Sequence, residues 1–138
     1  MIETFPNPDP THGRPRLAAL SGPEGELAIH VERESKTLWL FANGPKGGDR
    51  GKVIVPVRHA GRLVEWIDAG GDQAFGPGGE GYMVLRDGKL VVSVVGWRRS
   101  WQIALSDVDR EGFLGILRQW AAAALGQAIG SPAGGESG

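Results

Sequence analysis

The feature that most constrains this chain is segment 81–125, in which a hairpin, a third strand and a long amphipathic helix follow one another without a linker. Two alternating runs flank Asp87-Gly88, a pair whose tolerance of positive φ suits the type I′ turn of an antiparallel hairpin. Residues 101–105 again alternate between apolar and polar or small side chains, which predicts a third strand. The segment therefore predicts locally paired strands with a helix that covers one face.

The predicted helix has a defined start and one apolar face. Ser106 stands where an N-cap is expected, and the acidic residues that follow complement the positive end of the helix dipole. Apolar residues at helical spacing form a stripe on this helix: Phe113, Leu117, Trp120 and Ala124, widened by Ile116 and Ala121. Gly112 and Gly115 lie inside the helix, where glycine costs about 1 kcal/mol relative to alanine. They indicate either the close approach of another backbone or simple tolerance.

The first half of the chain has a similar order of elements. Alternating residues on both sides of a tight turn at 34–36 predict a hairpin, and a further alternating run at 52–58 predicts a strand. Pro56 cannot donate to a sheet ladder, so this strand is expected at an edge or to end near Val55. Residues 63–67 favour a short helix. The order of strands and helices in the two halves indicates an imperfect internal duplication.

These elements predict the α+β class: an antiparallel sheet of about six strands, a short middle helix, and a long C-terminal amphipathic helix packed on the sheet. A chain of 138 residues suits one domain. We expect an irregular proline-rich arm at 1–22, a single domain at 23–125 and a flexible Gly/Ser/Pro tail at 126–138.

Composition narrows the function classes. The chain contains no cysteine, which excludes disulfides and thiolate chemistry. The N-terminus lacks the charge and hydropathy pattern of a signal sequence, and no apolar run approaches the roughly 20 residues of a membrane span. The sequence therefore predicts a soluble, cytoplasmic protein that does not associate with membranes.

No combination of residues predicts catalysis. His12, His30 and His59 do not have the i, i+4 spacing that would place two metal ligands on one helix face. The glycine-rich loop at 44–52 lacks the first glycine and the hydroxyl residue of a phosphate-binding loop, and it precedes a strand where that loop requires a helix. We therefore expect a protein that is not an enzyme and that uses no metal or cofactor.

Basic and aromatic residues supply the candidate binding site. Segment 46–62 carries five bases against one acid, although the whole chain has a net charge of −1. Lysine and arginine side chains that follow phosphates, together with aromatic rings that stack on bases, are typical of single-strand nucleic-acid binding. Trp66, Trp101 and Trp120 fit apolar stripes and are expected in the core. The candidate site residues are Trp39, Phe41, Lys46, Arg50, Lys52, Arg58, Arg62, Lys89, Trp97, Arg98 and Arg99.

A family resemblance rests on two runs, Asp87-Gly88-Lys89-Leu90-Val91-Val92-Ser93-Val94-Val95 and Ser100-Trp101-Gln102-Ile103-Ala104-Leu105-Ser106, followed by the helix with Phe113, Leu114 and Leu117. Together they resemble one repeat of the Pur proteins, and the plan of a sheet followed by a helix is similar to that of the Whirly and positive transcription cofactor families. The resemblance implies binding of single-stranded DNA or RNA across the sheet, often by a dimer. It places Lys89 and residues 97–99 on the binding surface. The chain departs from these families in lacking a net basic charge.

Two functions remain as hypotheses. The first is a transcription-related regulator that binds single-stranded nucleic acid across a sheet. The alternative is a regulator, such as a phage or bacterial factor, that docks on RNA polymerase or another protein of the transcription machinery without binding nucleic acid, since tryptophan and arginine are frequent interface anchors. An edge strand and a broad helix face are compatible with a homodimer in either case.

Overall fold

The protein has an α+β fold with two antiparallel sheets and two α-helices, described here from a computed structural model that covers residues 1–5, 13–76, 81–94 and 100–129. The strands are β1 Ile2–Thr4, β2 Arg16–Gly22, β3 Gly25–Val31, β4 Leu38–Asn43, β5 Asp49–Val55, β6 Gly81–Arg86, β7 Lys89–Val94 and β8 Trp101–Ala104. The helices are α1 Ala60–Asp68 and α2 Asp107–Ile129, and a 3-10 turn at Val57–His59 precedes α1. The predicted fold class is confirmed.

Strands β1 to β5 form one sheet in sequence order, and β6 to β8 form the second. The predicted hairpin in the first half is the β3–β4 pair, in which Val31 lies opposite Leu38. Lys36 takes a φ of 59° in the connecting turn. Strand β5 lies at the edge of its sheet and ends before Pro56, as its missing N–H requires.

The predicted type I′ hairpin of the second sheet is confirmed. Arg86 at the end of β6 pairs with Lys89 at the start of β7, and the two residues between them have φ values of 53° at Asp87 and 72° at Gly88. Positive φ at both central positions defines this turn type and matches the twist of the flanking strands. Each sheet is thus built from neighbouring strands followed by a helix.

One hydrophobic core joins the inner faces of both sheets with α1 and α2. Helix α2 begins as predicted, because the Asp109 N–H donates to Ser106 Oγ at 3.1 Å. Its predicted stripe is confirmed: Phe113 and Leu117 are fully buried, and Trp120 is 7 % exposed. A side chain at Gly112 would lie 3.2 Å from Ile2 of β1, whereas nothing lies near Gly115. Close approach therefore explains only the first of these two glycines.

The prediction of an irregular arm at 1–22 is wrong for its described residues, since β1 and β2 both lie within it. Ala18 and Ala19 are both buried on β2, so the run gave no clear apolar alternation. The strand is specified by pairing with β3, where Ala19 lies opposite Ala28. With these two strands, the described residues form eight strands in two sheets. The sequence predicted about six strands in one sheet.

Replacing Trp120 with alanine should lower the free energy of unfolding by about 3 to 5 kcal/mol, as the loss of a large core aromatic does. The substitution also removes the hydrogen bond from Trp120 Nε1 to Lys36 O, 2.9 Å long. Urea denaturation gives the measurement. Gln119→Ala, at an exposed position of the same helix, is the control and should change stability little. Equal midpoints for wild type and Trp120→Ala would contradict the placement of the helix.

Gly115→Ala should stabilise the protein by about 0.5 to 1 kcal/mol, because alanine is the better helix former and the position is open. Gly112→Ala should gain less, since the new methyl group must displace the end of the Ile2 side chain. Thermal unfolding of the two variants in parallel makes the comparison. A larger gain at Gly112 than at Gly115 would show that β1 does not pack there.

Candidate nucleic-acid interface

The outward face of the five-stranded sheet carries the predicted aromatic pair. Alternation along β4 sends Leu38 and Leu40 into the core, which leaves Trp39 and Phe41 half-buried on the opposite face. The register places Trp39 opposite Ile54 and Phe41 opposite Lys52 on β5. The side facing away from the core thus holds aromatic, apolar and basic side chains on neighbouring strands.

Four side chains on this face form what we call the aromatic cluster: Arg14, His30, Trp39 and Phe41. The Trp39 and Phe41 rings are nearly parallel, at 15°, with centroids 5.5 Å apart. His30 meets the Phe41 ring edge-on at 5.5 Å. The guanidinium carbon of Arg14 lies 3.9 Å from the Trp39 ring centroid and 5.8 Å from that of Phe41. This arrangement is a cation–π contact on a stacked aromatic pair.

Pairing of the backbone before β2 with β3 positions Arg14 and His30. The Val31 N–H donates to Pro15 O at 3.2 Å, so the pairing with β3 extends to the residue before β2 begins. His30 Nδ1 lies 2.9 Å from Arg14 O and, as the N–H tautomer, donates to it. The ring of His30 is therefore tied to the residue whose guanidinium covers Trp39.

The tryptophans differ in how their indole N–H groups are satisfied. Trp66, Trp101 and Trp120 donate to the carbonyl oxygens of Gln73, Glu24 and Lys36, at 2.6, 3.1 and 2.9 Å. Trp39 Nε1 is shielded from solvent and has no hydrogen-bond partner within the described residues. A buried donor left unpaired costs about 1 to 3 kcal/mol. Trp39 is therefore the one tryptophan in the described part of the chain that is not satisfied by the fold itself.

An open cavity of about 380 Å³ adjoins the cluster, lined by Gly13, Arg14, His30, Glu32 and Phe41. It combines a ring edge, a guanidinium and a carboxylate at one concave position. Such a combination of one apolar surface with a few polar groups is typical of a binding site. The cavity gives the outward face a place where a ring-sized group can enter.

Charges on the outward face are mixed. Arg14 Nη2 lies 3.7 Å from Glu32 Oε2, and Arg16 Nη1 lies 3.7 Å from Glu26 Oε2. Lys52, next to Phe41, belongs to none of the ion pairs found among the described residues. The face is therefore weakly basic around the aromatic cluster, and its two arginines near the strands β2 and β3 have carboxylate neighbours.

The structure brings together only part of the predicted basic stretch. Lys46 lies in the β4–β5 connection and Arg50 at the start of β5, whereas Arg58 and Arg62 lie beyond the other end of β5. Seven strand residues span about 20 Å at a rise of 3.3 Å per residue. Only Lys52 lies between them on the same face as the aromatic cluster. The five bases therefore form two separate pairs near the two ends of β5, with Lys52 alone beside the aromatic cluster.

The other predicted residues lie elsewhere. Lys89 begins β7 in the three-stranded sheet and is exposed there, away from Trp39 and Phe41. Trp97, Arg98 and Arg99 lie outside the described residues. They remain predictions from the sequence.

Sequence reasoning missed Arg14 and His30 as members of the site. His30 has no metal-ligand spacing that would single it out, and Arg14 falls within the predicted irregular arm at 1–22. In the structure the connection between Val31 and Leu38 places His30 opposite Trp39. The predicted turn at 34–36 is centred on residue 35 and would instead pair position 30 with position 40, so the sequence did not specify this neighbour. No local signal exists for Arg14, which reaches the site through non-local pairing.

Across residues 1–5, 13–76, 81–94 and 100–129, no group of three or more potential ligand side chains is arranged to hold a metal ion. In the same ranges, no helix combines the length and the hydropathy needed to cross a membrane.

Comparisons of this chain with protein-family models, curated proteins and solved structures give no match.

Replacing Arg62 with glutamine should raise the pKa of His59 toward its ordinary value of 6.5. Burial lowers this pKa, and the positive charges of Arg58 and Arg62 lower it further. Arg62 Nη1 lies 3.5 Å from His59 Nδ1. Because burial remains, the pKa of the variant should stay below 6.5. An NMR titration of the His59 ring gives the measurement.

The lowered pKa of His59 also makes the free energy of unfolding depend on pH. As the pH falls below 6.5, the unfolded chain takes up the proton before the folded protein does, so His59 lowers stability on acidification. Lys46→Gln, at the far end of β5, is the control and should leave the His59 titration unchanged. Identical titrations in wild type and Arg62→Gln would contradict the arrangement at the start of α1.

Proposed function

We propose that this protein is a non-enzymatic, transcription-related regulator that binds single-stranded nucleic acid across the outward face of its five-stranded sheet. The observation that carries the proposal is the stacked pair of Trp39 and Phe41 on that face, with Arg14 on the ring of Trp39 and Lys52 beside Phe41. Aromatic rings on strands bind bases, and neighbouring cations bind phosphates.

For a base to stack on Trp39, it has to replace the Arg14 guanidinium that lies on the indole ring. In the free protein the guanidinium of Arg14 covers the Trp39 ring. We propose that it moves to a phosphate when a base stacks on the ring. A cation–π contact at an exposed site contributes about 0.5 to 1 kcal/mol, whereas a stacked base contributes about 1 to 3 kcal/mol. The exchange is favourable where the base stack outweighs the cation–π contact and the Arg14–Glu32 ion pair that it replaces.

A second candidate function is favoured by the charge pattern. The Arg14–Glu32 and Arg16–Glu26 pairs place carboxylates on the same face, and these would repel a phosphate backbone. A protein partner tolerates such a mixed surface, and tryptophan and arginine are common anchors in protein interfaces. The second candidate is thus a regulator that docks this face on a protein of the transcription machinery.

The test is fluorescence anisotropy of a labelled single-stranded oligonucleotide, titrated at several salt concentrations. If Arg14 and Lys52 neutralise two phosphates, the slope of log K against log salt should be about −1.4. The double variant Trp39→Ala, Phe41→Ala should bind at least about tenfold more weakly, since each lost base stack is worth about 1 to 3 kcal/mol. Circular dichroism checks that it remains folded, and Phe41→Ala alone is the milder variant.

Tyr82→Ala is the matched control, because Tyr82 is an aromatic residue on the other sheet with 36 % of its surface exposed. It should bind like wild type. Absence of binding at low salt would overturn the nucleic-acid proposal and favour the protein-docking candidate. Equal losses in Tyr82→Ala and Phe41→Ala would place binding outside the aromatic cluster.

A further inference from the structure

A second basic site lies where the β6–β7 turn meets the residues that follow α1 and the first turn of α2. A cleft of about 210 Å³ there is lined by three cations, Arg86, Lys89 and Arg110, by the acidic residue Asp87, and by the apolar residues Leu85 and Leu105. It shares no lining residue with the cavity beside the aromatic cluster. We call it the basic cleft.

The fold holds the three cations together against their mutual repulsion. Arg86 and Lys89 lie directly opposite each other in the β6–β7 register. Like charges at opposed strand positions are destabilising. Arg110 reaches the same cleft from the first turn of α2, and its Nη2 donates to Gly70 O at 3.1 Å. The Leu105 N–H donates to Gly88 O at 2.8 Å, which fixes the turn against the strand before α2.

The positive charge of the basic cleft is not neutralised by ion pairing within the described residues. The ion pairs found there join Met1 to Asp109, Arg14 to Glu32, Arg16 to Glu26 and Arg118 to Asp68. None of them includes a cation of the cleft. With Asp87 counted, the lining carries three positive charges and one negative charge.

From this convergence, we infer that the basic cleft binds a phosphate group. An oxyanion bound between the three cations removes their repulsion and accepts charge-assisted hydrogen bonds from two guanidinium groups and one ammonium group. The volume fits one phosphate with several waters, at roughly 30 Å³ per water. It lies below the 300 Å³ or so at which pockets for larger ligands begin. The group is either free phosphate or the terminal phosphate of a larger molecule.

The test is an NMR titration of the full chain with inorganic phosphate at constant ionic strength, with chloride as the reference anion. The backbone amides of Gly88 and Leu105 should shift in a saturable manner. The double variant Arg86→Ala, Lys89→Ala should bind at least about tenfold more weakly, because each charge-assisted hydrogen bond contributes about that factor. Both replaced side chains are exposed, so the fold should tolerate the change.

Arg58→Ala, Arg62→Ala is the matched control, since it removes the same number of exposed cations from another surface. It should bind phosphate like wild type. Unshifted amides at Gly88 and Leu105 would overturn the inference, and so would equal affinity in the Arg86→Ala, Lys89→Ala variant.

Two further arms identify the source of the phosphate and separate this inference from the proposed function. A short oligonucleotide with a 5′-phosphate, compared with the same oligonucleotide ending in a 5′-hydroxyl, shows whether a terminal phosphate enters the cleft. Tighter binding of the 5′-phosphorylated oligonucleotide than of its 5′-hydroxyl form, with saturable shifts at Gly88 and Leu105, assigns the cleft to a nucleic-acid end, and equal binding of the two forms assigns it to free phosphate. The Trp39→Ala, Phe41→Ala variant should retain phosphate binding, because the basic cleft shares no residue with the aromatic cluster.

Discussion

The register of the β3–β4 hairpin is the constraint on which the candidate interface depends. Leu38, Leu40 and Ala42 are fully buried, so the odd-numbered neighbours of β4 have to face outward. A slip of one residue would bury Trp39 and Phe41 and expose three core side chains. Exposing the two leucines would forfeit about 1.5 to 3 kcal/mol for each side chain, and the larger rings of Trp39 and Phe41 would overpack the space that they left. Core packing on one face thus determines the chemistry of the other.

Indole hydrogen bonds hold the segments between the main elements against this core. Trp120 of α2 donates to the β3–β4 turn, Trp101 of β8 donates to the β2–β3 turn, and Trp66 of α1 donates to the loop that follows its helix. Each pairs a large buried ring with a loop carbonyl that would otherwise need water. Trp39 has no such carbonyl partner in the described part of the chain, and a cation lies on its ring instead. This contrast distinguishes a candidate binding tryptophan from three structural ones.

Local signals in the sequence were sufficient for much of the fold. Asp87-Gly88 specified its turn because only a few residues accept positive φ at both positions, and Trp120 was placed by helical periodicity alone. Strand β2 was missed, because the buried Ala18 and Ala19 show no alternation and the strand depends on pairing with β3. Arg14 was missed for the same reason, since non-local pairing brings it to Trp39.

Charge was the least predictable property, because residues that are close in sequence separate along a strand while distant ones converge. The five bases at 46–62 extend from the connection before β5 to the first turn of α1, and among them only Lys52 lies beside the aromatic cluster. Lys89, in contrast, gains Arg110 as a neighbour only after α2 packs beside the hairpin. A net charge of −1 therefore conceals two separate regions of positive charge. Since an exposed charge acts over roughly 8 Å at physiological salt, the local arrangement of cations, and not their total, governs what this chain attracts.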